Sequence, residues 1–150
     1  MATFSAELSG GCDTLDHGIL LAQMLYEIDN GAQTKASLRS LRERCGFTTP
    51  TVLCLDAMSV YAAVTAIYIK APAEKSLLRH IQFVRECLDN KLLLALVWLD
   101  TRDMYADGLT KGQVERTLLH ALVESHIQFN HNPRVWKSKG TPSAGSPQFE

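Results

Sequence analysis

The sequence lacks the spacings through which cysteine and histidine usually hold a metal ion. Its four cysteines stand at positions 12, 45, 54 and 87 without a C-x-x-C pair, and its five histidines form no HExxH motif. The pattern therefore gives no sign of a Cys/His metal site or of a redox pair. We expect reduced, mostly buried thiols, as in an intracellular protein.

Long apolar runs and a large net charge of either sign are also missing. The longest apolar run spans 92–99, far short of the roughly 20 residues that a membrane span needs. A chain with 46% hydrophobic and 21% charged residues and a net charge of −1 predicts one soluble globular domain. Near neutrality argues against a protein that coats nucleic acid, yet it allows an enzyme that holds nucleic acid through metal ions. No targeting segment is evident, so localisation stays open between cytoplasm and nucleus.

The N-terminal third predicts one long amphipathic helix. Its apolar residues recur at spacings of three and four, up to a helix end near Asn30 and Gly31: Leu8, Cys12, Leu15, Ile19, Ala22 and Tyr26. Three glycines inside this helix should cost it stability, and we expect close approach to a neighbouring element in compensation: Gly10, Gly11 and Gly18. A short basic segment, 34–44, follows.

Two short, continuous apolar runs predict buried strands, namely TVLCL at 51–55 and LLLALVWL at 92–99. Helices are predicted at about 57–69, 74–90 and 113–127, together with a short helix that contains Asp107 and is capped by Asp100 or Thr101. Strands joined by helical crossovers pair in parallel, so we expect an α/β domain over 1–127 with two parallel central strands. Two strands alone make an incomplete sheet.

The C-terminal segment differs in composition from the rest of the chain. From about residue 128 onward, Pro, Ser, Gly and Lys dominate the sequence. Such a segment carries too little apolar surface to offset the entropy of ordering it. Residues 128–150 are therefore predicted to form a disordered tail.

Three acidic residues occupy similar positions in this arrangement. Glu7 lies near the start of the first helix, Asp56 directly follows the first strand, and Asp107 follows the second strand in a short helix. The carboxyl edge of a parallel sheet is where ligands bind. Carboxylates gathered there repel one another unless a cation neutralises them, and hard oxygen ligands suit Mg²⁺ or Mn²⁺. A pair of such ions about 3.5–4 Å apart is a common device for cleaving a phosphodiester.

Spacing alone leaves simpler roles open for these acids. An acid at the end of a strand is more often a helix cap than a metal ligand, and this applies to Asp56. Glu7 could serve only to favour the helix dipole. Asp100 and Asp103 are expected to be structural, as caps of the short helix that contains Asp107.

Four stretches of the sequence, in this order, resemble the ribonuclease H domain that closes the polyprotein of copia-type LTR retrotransposons. They are SAEL at 5–8, LCLDAMSVYAAV at 53–64, AEKSLLRHIQFVREC at 73–87 and VWLDTRDMYADGLTKG at 97–112. The segment TRDMYADGLTK is the most specific of them, and the resemblance covers about residues 3–125.

The resemblance implies a ribonuclease H-like fold, with a five-stranded mixed sheet flanked by helices. It implies cleavage of the RNA strand of an RNA–DNA hybrid, by four carboxylates and two Mg²⁺ ions. Matched by motif, Glu7, Asp56 and Asp107 are three of these carboxylates, and Asp107 is flanked by small residues that let helix and sheet edge approach the ions. Thr110 and Lys111 belong to the same motif, and we expect them to position or contact the nucleic acid.

The family pattern places the fourth carboxylate on a strand of an antiparallel hairpin set ahead of the SAEL stretch, and this sequence begins at Met1 without it. Asp13 and Asp16 stand six and nine residues beyond Glu7, which is about 9 and 13 Å along a helix and too far to replace it. We therefore expect a truncated domain, a fragment of a Pol polyprotein that is inactive alone. The rest of the polyprotein, including its reverse transcriptase, is the implied partner.

Two other functions stay open. One is a non-catalytic remnant that binds nucleic acid through the basic segment 34–44, whose simpler interpretation is a solvated helix face. The other is a helical module that docks on a partner protein. In every case we expect a strand edge without its neighbour to make the chain aggregation-prone, dimeric through edge pairing, or molten.

Overall fold

The computed structural model describes residues 2–44, 46–68, 75–110 and 116–137. In chain order, the elements are α1 (Ala2–Asn30), α2 (Lys35–Arg44), β1 (Val52–Leu55), α3 (Met58–Thr65), α4 (Ser76–Asp89), β2 (Ala95–Trp98), a 3₁₀ turn (Thr101–Asp103), α5 (Asp107–Thr110), α6 (Thr117–Val123) and β3 (Arg134–Trp136). Helices alternate along the chain with the strands of a small mixed sheet, so the predicted α/β class is confirmed.

The sheet has the strand order β1-β2-β3. Strands β1 and β2 are parallel, with Val52 opposite Ala95 and Leu55 opposite Trp98, which confirms the predicted parallel pairing. Strand β3 runs antiparallel to β2 and was not predicted. The disordered tail predicted from residue 128 is therefore wrong for residues 128–137, and residues 138–150 lie outside the described residues. The short strand forms because it pairs with β2 and packs the indole of Trp136 against the core.

Helix α1 presents the predicted stripe to the interior. Five of its apolar residues are buried and Tyr26 is half-buried: Leu8, Cys12, Leu15, Ile19 and Ala22. The helix ends at Asn30, as predicted, and Gly31 follows with a φ of +79°, a left-handed conformation that glycine adopts without strain. No helix in the described ranges is long and apolar enough to cross a membrane.

Two of the glycines of α1 lie directly against β1. A β-carbon at Gly18 would stand 3.1 Å from Cγ2 of Thr51, and one at Gly11 would stand 3.4 Å from Cδ2 of Leu55. The predicted close approach is confirmed for Gly18, where a β-carbon would be tight, whereas a β-carbon at Gly11 would make an ordinary van der Waals contact. It is wrong for Gly10, where a β-carbon would meet no neighbouring element within 4 Å.

Helices α3 and α4 complete the layer on the same face of the sheet. The predicted stripe of α4 is buried and faces the core: Leu77, Ile81, Val84 and Leu88. Arg85 then ties the two helices together, because its guanidinium donates to the carbonyl of Val64, at 2.7 Å, and to that of Ala66. These carbonyls end α3 and have no partner within the helix.

Apolar side chains form one main cluster and one small cluster. The main cluster fills the space between α1, α3, α4 and one face of the sheet, with Leu53 and Leu96 as the strand contributions. The small cluster lies on the opposite face and consists of Ala95, Val97 and Leu99, with Met104 and Phe129 packed against it. Both faces of β2 are thus covered, as its continuous apolar sequence predicts.

The two ends of the sheet are not equivalent, and this predicts self-association. Within the described ranges, β3 covers the outer side of β2, whereas β1 pairs only with β2. An open strand edge recruits other chains, because its N–H and C=O groups have no partner. We expect the 150-residue chain to self-associate or to lack a cooperative unfolding transition. Size-exclusion chromatography with light scattering and a thermal melt will test this, and a monomer with a sharp transition would contradict it.

Candidate functional site

Helix α1 runs antiparallel to β1, and this direction decides where Glu7 lies. Gly18 contacts Thr51 at the start of β1, and Gly11 contacts Leu55 at its end. Glu7 precedes Gly11 by one helical turn, about 6 Å. The half-buried Glu7 therefore lies beyond the carboxyl end of β1. It comes after the first turn of α1, where the effect of the helix dipole has fallen off.

Asp56 stands at the same end of the strand. Its backbone carbonyl accepts a hydrogen bond from the indole Nε1 of Trp98, at 2.9 Å, which joins the ends of β1 and β2. The N-cap position of α3 belongs to Ala57, and no side chain caps that helix. The interpretation of Asp56 as a helix cap is therefore wrong, and its half-buried carboxylate has no capping role.

Asp107 begins α5, after the chain has left the carboxyl end of β2. It lines a cleft of about 600 Å³ together with Arg102, Thr117 and Asn130. Gly108 lies under Leu119, where a β-carbon would stand 2.8 Å from Cδ1, so α5 and α6 pack closely here. Thr110 ends α5, but its side chain and the whole of Lys111 lie outside the described residues.

Glu7 and Asp56 thus lie at the carboxyl end of β1, whereas Asp107 lines the cleft beside α6. Among the described residues, no three or more His, Cys, Asp or Glu side chains are grouped as metal ligands. The donor chemistry of Glu7, Asp56 and Asp107 suits Mg²⁺ or Mn²⁺, but their positions do not fit a formed metal site.

Asp100 is one of the two residues predicted to cap a helix here, and it caps the 3₁₀ turn. Its carboxylate accepts from the backbone N–H of Arg102, at 3.0 Å, and pairs with the guanidinium of the same residue at 2.8 and 3.0 Å. These hydrogen bonds and the positive charge hold the pKa of Asp100 well below its usual range. The predicted single helix is wrong, because the capped turn ends at Asp103 and α5 begins separately at Asp107.

Among the described residues, Asp103 is the buried charged residue. Its partner, His131, was not predicted from the sequence. Asp103 is 1% exposed. Its Oδ2 accepts a hydrogen bond from the backbone N–H of His131 at 2.8 Å. Its Oδ1 lies 3.1 Å from Nδ1 of the imidazole of His131. A buried carboxylate needs such partners, because desolvation of the charge is otherwise costly. Asp103 therefore fixes the segment that leads into β3.

Neighbouring contacts hold the same segment. The hydroxyl of Tyr105 donates to the carbonyl of Gln128 at 3.0 Å and accepts from its N–H at 2.8 Å. The ring of Tyr105 packs edge-on against that of Phe129, with centroids 6.3 Å apart. The guanidinium of Arg134 lies 5.8 Å from the ring of Trp98. No spacing in the sequence predicts these long-range pairs, and they are seen only in the folded chain.

The cysteines behave as the sequence predicts. Cys12 and Cys87 are buried, and Cys54 is half-buried. Burial raises the pKa of Cys12 to about 11, with help from the nearby Asp16 and Asp13, and burial also raises the pKa of Cys54. A protonated thiol is a poor nucleophile, so neither is a candidate for covalent catalysis. Cys45 lies outside the described residues.

Comparison with known proteins gives no relative. No protein-family model, no curated protein and no solved structure matches this chain.

The buried tie between Asp103 and His131 predicts a large difference between two acids of the same turn. Asp103→Ala leaves the N–H of His131 without its charged acceptor, and we expect a loss of about 2–3 kcal/mol in the free energy of unfolding. The control Asp100→Ala removes an exposed pair and a cap, and we expect a clearly smaller loss. Urea denaturation followed by tryptophan fluorescence measures both. Equal losses would show that the buried pair does not hold the β3 segment.

Proposed function

We propose that the chain is part of a ribonuclease H-like domain of a copia-type retrotransposon Pol polyprotein. In this proposal, Glu7, Asp56 and Asp107 are carboxylates of a site that cleaves the RNA strand of an RNA–DNA hybrid. The observation that carries it is the direction of α1, because the contacts of Gly11 and Gly18 bring Glu7 to the end of β1 where Asp56 stands. Two acids from separate elements at one sheet edge are what a phosphodiester-cleaving site requires.

The sequence motifs add support that is independent of this geometry. Each of the three carboxylates lies in a different stretch that resembles the family, and the stretches follow one another in the family's order. The parallel register of β1 and β2 makes the second and fourth stretches leave the sheet on the same side. Thr110 and Lys111, in the fourth stretch, are proposed to contact or position the nucleic acid.

Mg²⁺ or Mn²⁺ is the proposed cofactor, and its chemistry is to activate water and stabilise the leaving oxygen. The residues of this chain would contribute negative charge at the sheet edge. Because the three carboxylates form no metal-ligand group among the described residues, we propose that the 150-residue chain is inactive alone. A further carboxylate, on a strand beside β1, would be needed to draw ions to this edge.

This proposal predicts a rescue. The 150-residue chain should leave the RNA of an RNA–DNA hybrid intact in Mg²⁺ or Mn²⁺. A fusion that places the family's hairpin strands and their aspartate ahead of Ala2 should cleave it. Asp56→Asn and Asp107→Asn should each abolish cleavage by the fusion, because each removes charge that faces an ion.

The matched control is Asp100→Asn, which removes a neighbouring acid of the same edge that serves as a cap. Its cleavage rate should stay close to that of the unmodified fusion. The site assignment is overturned for either aspartate whose asparagine variant keeps full turnover. Cleavage by the unfused chain that is lost in Asp107→Asn would overturn the proposed inactivity.

A second candidate function is nucleic-acid binding through α2. This helix has no buried residue, and its four basic residues are exposed: Lys35, Arg39, Arg42 and Arg44. Glu43 neutralises only part of the charge, through a 3.9 Å contact with Arg39. A net positive, fully solvated face of this kind attracts phosphate, although it is also typical of an ordinary surface helix.

Binding through α2 predicts a change in salt dependence. Removing three basic side chains (Lys35→Ala, Arg39→Ala and Arg44→Ala) should reduce the slope of log affinity against log salt by roughly 2–3. Fluorescence anisotropy with a labelled hybrid measures the slope. The control removes three exposed basic residues elsewhere (Arg79→Ala, Arg116→Ala and Lys137→Ala) and should change it little. Equal effects of the two triple variants would leave α2 as a solvated face.

A further inference from the structure

The C-terminal half of α1 carries an exposed apolar stripe. Four large apolar side chains of this helix are exposed: Leu20 at 47%, Leu21 at 56%, Met24 at 59% and Ile28 at 75%. Met24 follows Leu20 by four residues and Ile28 follows Met24 by four, while Leu21 lies next to them, so all four share one face. These four residues are called the outer stripe. Single exposed apolar residues are ordinary, but a contiguous group of them indicates an interaction surface.

The outer stripe faces away from the core. The buried residues of α1 run from Leu8 to Ala22 at helical spacing. At 3.6 residues per turn, the centre of the outer stripe lies about 175° around the helix from the centre of these buried residues. Gly18 contacts Thr51 at the start of β1, so the stripe, which follows Gly18, also lies past the amino end of that strand. A second helix can therefore pack on the stripe without displacing the core.

Charges of opposite sign stand at the two ends of the outer stripe. Asp13 and Asp16 precede Leu20 by seven and four residues, so they continue the stripe toward the N-terminus of α1, and both are exposed. Beyond the other end, α2 begins with the exposed Lys35 and also carries the exposed Arg39. The surface thus changes from acidic through apolar to basic along the chain.

Helix α2 folds back beside the end of α1. Residues 31–34 separate the two helices, and the guanidinium of Arg42 donates to the side-chain carbonyl of Gln23 at 3.1 Å. Gln23 lies seven residues before the end of α1, and Arg42 lies seven residues after the start of α2. The two helices therefore form an antiparallel hairpin, which keeps the basic side chains of α2 near the C-terminal end of α1.

This order of charges is complementary to itself when two such helices run antiparallel. With a two-fold axis beside Met24, Leu20 of one copy packs against Ile28 of the other. Asp13, eleven residues before Met24, then comes beside Lys35 of the second copy, which lies eleven residues after it. Parallel pairing would set acid against acid and base against base, which is unfavourable. The charges therefore favour a second copy of this chain as the occupant, in the antiparallel direction.

We propose that the outer stripe is the interface of a homodimer, in which the α1 helices of two copies pack antiparallel about a two-fold axis beside Met24. Burial of the apolar side chains supplies the affinity. Asp13 and Asp16 of each copy face Lys35 and Arg39 of the other, and these pairs set the direction. The cores of the two copies lie on opposite sides of the helix pair, so this interface is separate from the open edge of β1. The inference does not depend on the ribonuclease proposal.

Sedimentation velocity of the 150-residue chain over a range of concentrations tests the dimer. We expect a reversible monomer–dimer equilibrium with a dissociation constant of about 1–100 μM, because one helix pair buries less area than a standard interface. Met24→Glu should weaken it at least about tenfold, because it sets two like charges beside the axis. The control Val123→Glu changes an apolar residue of α6 that is 85% exposed, and it should change the constant less than about twofold. A chain that stays monomeric at about 300 μM, or equal effects of the two variants, would overturn the proposal.

An exchange of charges tests the antiparallel direction. One variant carries Asp13→Lys and Asp16→Lys, and the other carries Lys35→Glu and Arg39→Glu. Each variant alone should self-associate at least about tenfold more weakly than the unmodified chain, because like charges then meet at both ends of the interface. An equimolar mixture should dimerise with a dissociation constant within about threefold of that of the unmodified chain, because opposite charges meet again at both ends.

Circular dichroism of each variant checks that its helices are intact, and the mixture serves as a folding control because it contains only the same two chains. A mixture that associates no more tightly than its components would overturn the proposal. Self-association that neither pair of charge changes weakens would also overturn it, because the contact would then lie elsewhere on the chain.

Discussion

The close packing of α1 on β1 is the contact from which the rest of the arrangement follows. It is closest at Gly18, where a β-carbon would stand 3.1 Å from Cγ2 of Thr51, and it continues at Gly11 beside Leu55. The contact sets the rotation of the helix, and hence which residues enter the core. It also sets the direction of the helix, which carries Glu7 to the carboxyl end of β1.

A second tie gives the sheet its asymmetry. The buried carboxylate of Asp103 holds the backbone and imidazole of His131, so the following residues pair with β2 as β3. One end of the sheet is thereby closed by a strand that the chain itself supplies. The other end, β1, is bounded by α1 above it and has no described neighbour. The proposed catalytic carboxylates Glu7 and Asp56 lie at the carboxyl end of this open strand.

Sequence periodicity predicted the parts of the fold that local patterning controls. The stripes of α1 and α4 and the two apolar runs became buried faces, because one residue pattern suffices to place them. Strand β3 was not predicted, because three residues beside a polar segment are too few to show a hydrophobic pattern. Their pairing also depends on Asp103, which lies 28 residues before His131 in the sequence. The candidate carboxylates were found by motif, but their mutual distances depend on tertiary packing, which no spacing encodes.

A disulfide cross-link tests the central contact most directly. With Gly18→Cys and Thr51→Cys, the two β-carbons should fall near the 3.5–4.5 Å that a disulfide needs, since a β-carbon at Gly18 lies 3.1 Å from Cγ2 of Thr51. Gly11→Cys with Thr51→Cys moves one partner about 10.5 Å along the helix. Mild oxidation and peptide mapping should find an intrachain disulfide in the first variant and none in the second. A cross-link in the second variant alone would mean that α1 does not lie on β1 in this direction, and Glu7 would then not lie at the carboxyl end of β1.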